Sequence, residues 1–457
     1  MSKIKELAGL GQSIWYDYIR RSFITSGELR SLIDEGLRGE TSNPSILEKA
    51  IAGSVDYDED IRRLVKYDKS IEEIYEALAL EDITLAADLF RPVYEATNAI
   101  DGYISLEVSP KLAHDTENTI AEAKRYFQLI NRPNLMIKVP ATAEGIPAIT
   151  ELIGSGINVN VTLMFGLDHY REVAEAYIKG IEKLASDGPS IHGGHNVDKV
   201  ASVASFFVSR VDTMVDHELD RIGNSELKGK IAISNSKATY LEFQNTFKGD
   251  RWGELASKGA RVQRVLWAST STKNPLYPDT LYVDELIGPN TVNTVPPNTY
   301  KNFRDHGNVR ITLTEGVDDA LSNLSKLANI GVNLNSITAK LQDDGVLDFA
   351  KSFETLMNSI EEKRDRLIAE KKGYFAILGQ YKKNIDKGLK KLEDEKINQR
   401  IWNFDYFVWK DQPTEISNRL GWLHIPEVMR DAIPSINFLV DSVRADGYKY
   451  AILLGMG

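Results

Sequence analysis

The chain has no cysteine, no long apolar run and no excess of positive charge, and each lack removes a class of protein. Without cysteine there can be no disulfide, thiol nucleophile or cysteine-ligated metal. No apolar stretch approaches the roughly 18–20 residues that a bilayer-spanning helix needs, so no membrane partner is expected. The amino-terminal run Met1-Ser2-Lys3-Ile4-Lys5-Glu6 lacks the apolar centre of a secretory signal, and a cytoplasmic location is the expectation. Lys and Arg number 55 against 66 Asp and Glu, a formal net charge of −11. Such a surface argues against nucleic acid as a bulk partner, although one local basic pair suffices for a small phosphorylated ligand. What is present is ordinary globular composition: 457 residues, 42% hydrophobic and 26% charged, enough for a sizeable core. That length accommodates a large domain with a smaller one, or two to three of ordinary size.

From residue 11 to about residue 300, short strand-like runs alternate with helix-length amphipathic stretches. The runs are Ser13–Ile19, Gly39–Pro44, Tyr103–Val108, Asn134–Thr142, Ile157–Leu163, Val203–Val208, Val262–Ala268 and a weak one near Ile287–Val295, which Gly288 and Pro289 interrupt. Eight strands with helices between them predict a parallel (β/α)8 barrel of the TIM type. Side chains alternate along a strand, and a barrel strand turns one face into the lumen. Trp15, Asp17 and Ile19 share one face; so do Ser105, Glu107 and Ser109, then Met136, Lys138 and Pro140, and Asn158, Asn160 and Thr162. Asp17, Glu107, Lys138, Asn160 and Thr162 can therefore point into one lumen, near the strand ends where barrel enzymes hold their chemistry.

Lys138 stands among apolar neighbours in Met136-Ile137-Lys138-Val139-Pro140. A lysine there can simply snorkel from a strand end. Alternatively, a desolvated amine is a carbonyl nucleophile, and the company of four polar lumen residues favours that reading. Asp17 and Glu107 can carry protons, directly or through a water. Asn43, Asn160, Thr162 and Ser205 are neutral hydrogen-bonding groups suited to a polyol and to that water. Arg210, Ser269 and Lys273, past the sixth and seventh strands, are candidates for a phosphate anchor. The pair His192 and His195, with Asp198 nearby, reads as a flexible glycine loop, and no metal is assigned. How the Lys138 amine is kept neutral beside two carboxylates stays open.

Residues 317–372 are helical in pattern, with a break expected at Gly345 and a stripe of Phe349, Phe353, Leu356, Met357 and Ile360 read as core packing. Residues 361–400 are dense in Lys and Glu, interrupted by Gly373, Gly379 and Gly388, and read as a solvated helical connection. After Ile401 come Trp402, Phe404, Tyr406, Phe407 and Trp409, then helical patterning, then Tyr448–Gly457, which looks like a buried strand entering a glycine loop. The expected division is residues 1–370, a charged linker over 371–400, and the opening of a second domain over 401–457.

Laid out in order, the motifs resemble the transaldolase family: Trp15-Tyr16-Asp17, Thr41-Ser42-Asn43-Pro44-Ser45, Ser105-Leu106-Glu107-Val108, Met136 to Thr142, Ile157 to Leu163, Ser205 to Arg210 and Trp267 to Asn274. The resemblance covers about residues 1–370. It implies a class I aldolase-type barrel, without cofactor, that transfers a dihydroxyacetone unit between sugar phosphates of the pentose phosphate pathway. It also implies roles: Lys138 forms the Schiff base, Asp17 is the acid/base, Glu107 and Thr162 position a water, Asn43 and Asn160 hold the dihydroxyacetone unit, and Arg210 and Ser269 grip the phosphate. Where shorter relatives carry a second arginine soon after that serine, this chain has Thr270-Ser271-Thr272-Lys273, which makes Lys273 the candidate replacement. The tail resembles the beginning of a phosphoglucose isomerase domain, as in bifunctional fusions, and no isomerase activity is expected of this polypeptide. Two other readings compete: an aldolase that releases dihydroxyacetone, against which Glu107 speaks because related aldolases usually carry glutamine there, and a silent barrel that docks a second enzyme. Oligomeric state is left open, a homo-oligomer included.

Overall fold

A computed structural model describes residues 2–186, 197–372, 378–450 and 452. The chain divides into two compact units, Met1–Phe375 and Ala376–Gly457. In the first, eight parallel strands close into a barrel in sequence order: β1 Gln12–Asp17, β2 Gly39–Thr41, β3 Tyr103–Glu107, β4 Leu135–Pro140, β5 Val159–Met164, β6 Ser202–Phe207, β7 Arg264–Ala268 and β8 Thr291–Val295. Helices lie between successive strands, as a parallel sheet requires to cover its outer face. The strand at the end of the series is shorter than its sequence suggests. It starts at Thr291, since Pro289 has no N–H to give to a ladder.

The helix Pro44–Ala52 shows how local chemistry sets the barrel mouth. Asn43 caps it, its Oδ1 accepting from the Ile46 N–H at 3.1 Å, and Pro44 occupies the first turn. Lower in the lumen, Trp15 is fully buried and fills the middle of the barrel. Gly39 makes this fit: a Cβ there would lie 2.6 Å from the indole ring. At the amino-terminal base, Arg264 pairs with Asp101 at 2.8 Å and donates to Ser13 Oγ at 2.9 Å, so a half-buried cation there is compensated.

The helix Leu334–Lys372 departs from expectation in three ways. Gly345 does not break it; a Cβ there would come within 3.0 Å of Leu163 Cδ2, so the glycine serves close approach to β5. Leu163 itself sits at φ +63°, where the β5–β6 register shifts. Second, the stripe is core only in part: Phe353, Leu356, Met357 and Ile360 are buried, while Phe349 is half-buried and faces the barrel mouth. Third, the helix stays packed beyond residue 361. Lys363 is buried, paired with Asp58 at 2.8 Å and donating to the Ile51 carbonyl at 2.8 Å, and Leu367 is buried too.

In the second unit, Gly388 lies within the helix Lys382–Asp394 and does not interrupt it, and Gly379 opens a single 3₁₀ turn. The helices Ile397–Trp402, Ile425–Arg430 and Ile433–Ala445 follow. Trp402 and Phe404 rest against the His424 ring, and Leu420 and Leu423 are buried. The expected strand is not formed over residues 448–450 and 452, where Tyr448, Tyr450 and Ile452 are exposed; an apolar run with no sheet to join has no ladder to satisfy its backbone. The glycine loop expected at its end falls outside the described residues, as does the loop carrying His192 and His195.

Candidate active site

The strand register brings the sequence-predicted groups together. Glu107 on β3 pairs across to Lys138 on β4, which pairs across to Asn160 on β5. On the other side of the lumen Asp17 on β1 pairs with Thr41 on β2. The groups open onto a cavity of about 640 Å³ whose lining includes Asp17, Asn43, Lys138, Asn160, Thr162, Ser205, Arg210, Ser269 and Lys273. Glu107 alone of the predicted residues is off this wall. It is reached through Lys138.

Lys138 is buried, and its Nζ has three neighbours. Glu107 Oε2 lies 3.2 Å away, within ion-pair distance. The amine donates to the Ser42 carbonyl at 3.3 Å, and it lies 5.4 Å from the centre of the Phe349 ring. Both carboxyls near it hold their protons more tightly than usual. For Asp17 burial raises the pKa, against the Lys138 charge and the hydrogen bond that Thr41 donates at 2.7 Å. For Glu107 burial again dominates, opposed by Lys138 and reinforced by the Asp17 charge. The charge conflict left open by the sequence is therefore eased on the carboxyl side.

The neutral groups form a network behind the amine. Asn160 donates to Ser105 Oγ at 3.0 Å and accepts from Ser205 Oγ at 2.7 Å, which holds its amide plane. Thr162 Oγ1 is buried with no hydrogen-bond partner among the described residues, so its hydroxyl is open to a polar atom from the lumen. Thr41 Oγ1 also shares a 2.7 Å hydrogen bond with Thr294 Oγ1. Asn43 spends its carbonyl on the helix cap, which leaves its amide NH₂ for other partners.

Nearer solvent, Arg210 lies against the Phe207 ring at 5.7 Å and 3.6 Å from Asp348. Ser269 is held at φ +55°, an unusual angle for a side chain that clusters at working sites, and its hydroxyl is 3.0 Å from Ser209 Oγ. Lys273 is exposed as a residue and donates to Ser271 Oγ at 2.9 Å. Desolvation of its ammonium at the cavity mouth, then the Arg210 charge, lowers its pKa.

With the geometry in place, comparison with known proteins becomes specific. The family model described as "Transaldolase/Fructose-6-phosphate aldolase" matches residues 14–360. The chain belongs to the transaldolase/fructose-6-phosphate aldolase family. A protein named Transaldolase from Trichodesmium erythraeum is 49% identical over 377 residues, covering 79% of this chain and 97% of that protein. Transaldolase 2 of Nostoc punctiforme is 46% identical over 373 residues, covering 78% and 96%, and a Transaldolase of Saccharopolyspora erythraea is 44% identical over 368, covering 80% and 98%.

Some parts of this family member's site were missed in the sequence. Thr41 lies inside a quoted motif and Thr294 on the weak eighth strand, so parity alone could have proposed both. Asp348, Phe349, Lys351 and Ser352 reach the cavity from the helix Leu334–Lys372; a helical stripe signals burial of a face without saying what the face covers. Among the described residues no group of three or more His, Asp or Glu side chains is placed to hold a metal, and no helix is long and apolar enough to cross a membrane.

Proposed function

We infer that the chain is a transaldolase, moving a three-carbon dihydroxyacetone unit from a ketose phosphate to an aldose phosphate through a covalent imine. The observation that carries this reading is the buried Lys138 amine, 3.2 Å from a carboxyl and facing a polar cavity. Substrates are fructose 6-phosphate or sedoheptulose 7-phosphate as donors, and glyceraldehyde 3-phosphate or erythrose 4-phosphate as acceptors.

In this reading Lys138 attacks the ketose carbonyl, and loss of water gives the iminium. A protonated Glu107, with Thr162 to hold the departing water, supplies the acid for that step; burial favours its protonated form. Asp17 in its carboxylate form takes the proton from the C4 hydroxyl as the C3–C4 bond breaks, leaving the enamine and an aldose phosphate. The acceptor aldehyde then enters, the enamine carbon attacks it, and Asp17 returns the proton. Asn43, Asn160 and Ser205 orient the hydroxyls of the three-carbon unit. Arg210, Ser269 and Lys273 take the phosphate, the arginine exchanging Asp348 for it. Catalysis belongs to residues 1–370 in the expected division, which the family match over residues 14–360 supports; 371–400 is then a linker and 401–457 an isomerase-like segment without a part in the reaction.

Borohydride reduction in the presence of fructose 6-phosphate should attach the three-carbon unit to Lys138, read by peptide mass spectrometry. Lys138→Ala should abolish both adduct and transfer. An adduct on another lysine, or transfer surviving in Lys138→Ala, would overturn the mechanism. Product analysis with and without acceptor separates transfer from free release of dihydroxyacetone.

A further inference from the structure

The covalent intermediate poses a problem to which Glu107 in the lumen is one answer, and for which the helix across the barrel mouth supplies another. After the C3–C4 bond breaks, the enamine on Lys138 has two fates. It can attack the acceptor aldehyde, which is transfer. It can instead take a proton on carbon from an acid group to become the iminium, and then add water. The C–N bond breaks, dihydroxyacetone leaves, and the nitrogen stays on the protein as the Lys138 ammonium. Release consumes one water and one proton, both at hand in any open site. A transferase must therefore hold water off the nitrogen-bearing carbon while the first aldose leaves and the second arrives.

We propose that Phe349, carried on the helix Leu334–Lys372, contributes to this partition beside Glu107, its ring covering the Lys138 nitrogen and the carbon attached to it. This rests on the Schiff-base reading above. The ring centre lies 5.4 Å from Nζ, and the lysine side chain retains only 7% of its exposure. Aromatic cover suits a nitrogen that is cationic in the iminium, because the ring face attracts the charge while its hydrocarbon body excludes water.

The ring is held by anchors on both sides along its helix. Seven residues before it, Gln342 Nε2 donates to the Ala141 carbonyl at 2.7 Å and the Leu163 carbonyl at 3.2 Å, at the carboxyl ends of β4 and β5. Gly345 seats the same turn directly against Leu163. After it, Phe353 packs edge-on against Tyr75 with ring centroids 5.3 Å apart, and Lys363 is buried against Asp58. Phe349 is thus a fixed cover, set by the packing of one helix across the barrel mouth. Gln342 is a positioning residue in this scheme, since it acts only through the helix.

The test measures two rates on the full chain: dihydroxyacetone released from fructose 6-phosphate without acceptor, and transfer with saturating erythrose 4-phosphate. Phe349→Ala should raise the ratio of release to transfer about tenfold, with the borohydride adduct still on Lys138. Phe349→Leu, which keeps bulk but loses the ring, should give a smaller rise. Gln342→Ala, which leaves the cavity wall intact, should shift the ratio in the same direction. If the unaltered chain gives no adduct on Lys138, the transaldolase reading fails. If the adduct forms and the ratio stays the same in Phe349→Ala, or in Phe349→Leu and Gln342→Ala where the alanine variant does not fold, the role assigned to Phe349 is wrong.

Discussion

Arg210→Ala gives the sharpest quantitative test of how the cavity recognises its substrate. The guanidinium keeps 33% of its side-chain exposure and lies 3.6 Å from Asp348, so it is partly solvated and partly neutralised before any ligand arrives. A hydrogen bond to a charged group is worth about 1.5–3 kcal/mol, and a bidentate grip on a phosphate exceeds a single one. Solvation and the exchange of Asp348 for the phosphate offset part of that gain, so a net loss of about 2–3 kcal/mol is expected. At 1.4 kcal/mol per tenfold this raises KM for fructose 6-phosphate by about 30- to 140-fold. The C3–C4 chemistry lies elsewhere, so kcat should change far less. The control is unphosphorylated fructose, or dihydroxyacetone as donor, on which Arg210→Ala should act little. Lys273→Ala should cost about 1 kcal/mol, as an exposed charge does, and its contribution should fade at alkaline pH sooner than an ordinary lysine's because its pKa is lowered. Steady-state kinetics on both donors decides the matter. Equal losses on phosphorylated and unphosphorylated donors would refute phosphate recognition by Arg210.

Two further outcomes concern the frame of the site. Glu40 is fully buried near Asp82, neither of its oxygens has a hydrogen-bond partner among the described residues, and burial followed by the Asp82 charge holds its pKa well above the ordinary value. Because the folded pKa is the raised one, its share of stability is complete below the unfolded value near ~4.3 and is lost as pH rises toward the folded value, at about 1.4 kcal/mol per pH unit. Glu40→Gln should remove that slope, so urea midpoints of variant and parent diverge from pH 5 upward in favour of the variant; parallel curves contradict it. Gly39→Ala puts a methyl 2.6 Å from the Trp15 ring, which should cost about 1–3 kcal/mol of overpacking and lower the melting temperature by several degrees. An unchanged melting curve would show that the indole has room to move.

Much of the lumen is legible in the sequence because side-chain alternation is a property of the strand itself. Once the runs at Asp17, Glu107, Lys138 and Asn160 are recognised as barrel strands, a period of two assigns each to the inside, and the closed barrel with its register agrees. That period is silent on depth: Glu107 stands behind Lys138, off the cavity wall, while Asp17 stands on it. It is equally silent on the carboxyl pKa shifts, which arise from burial by the whole barrel. The helical pattern of residues 334–372 likewise names an apolar face without naming what the face meets. Phe349 is 211 positions from Lys138 in the chain, and the helix that joins them is placed by Gln342 and Gly345 against the ends of β4 and β5 and by Lys363 against Asp58 and Ile51. Sequence alone thus determined which chemistry is present, since residue type and strand parity are local. Only the tertiary structure decided what covers that chemistry, because the meeting of two distant surfaces depends on packing across the whole unit.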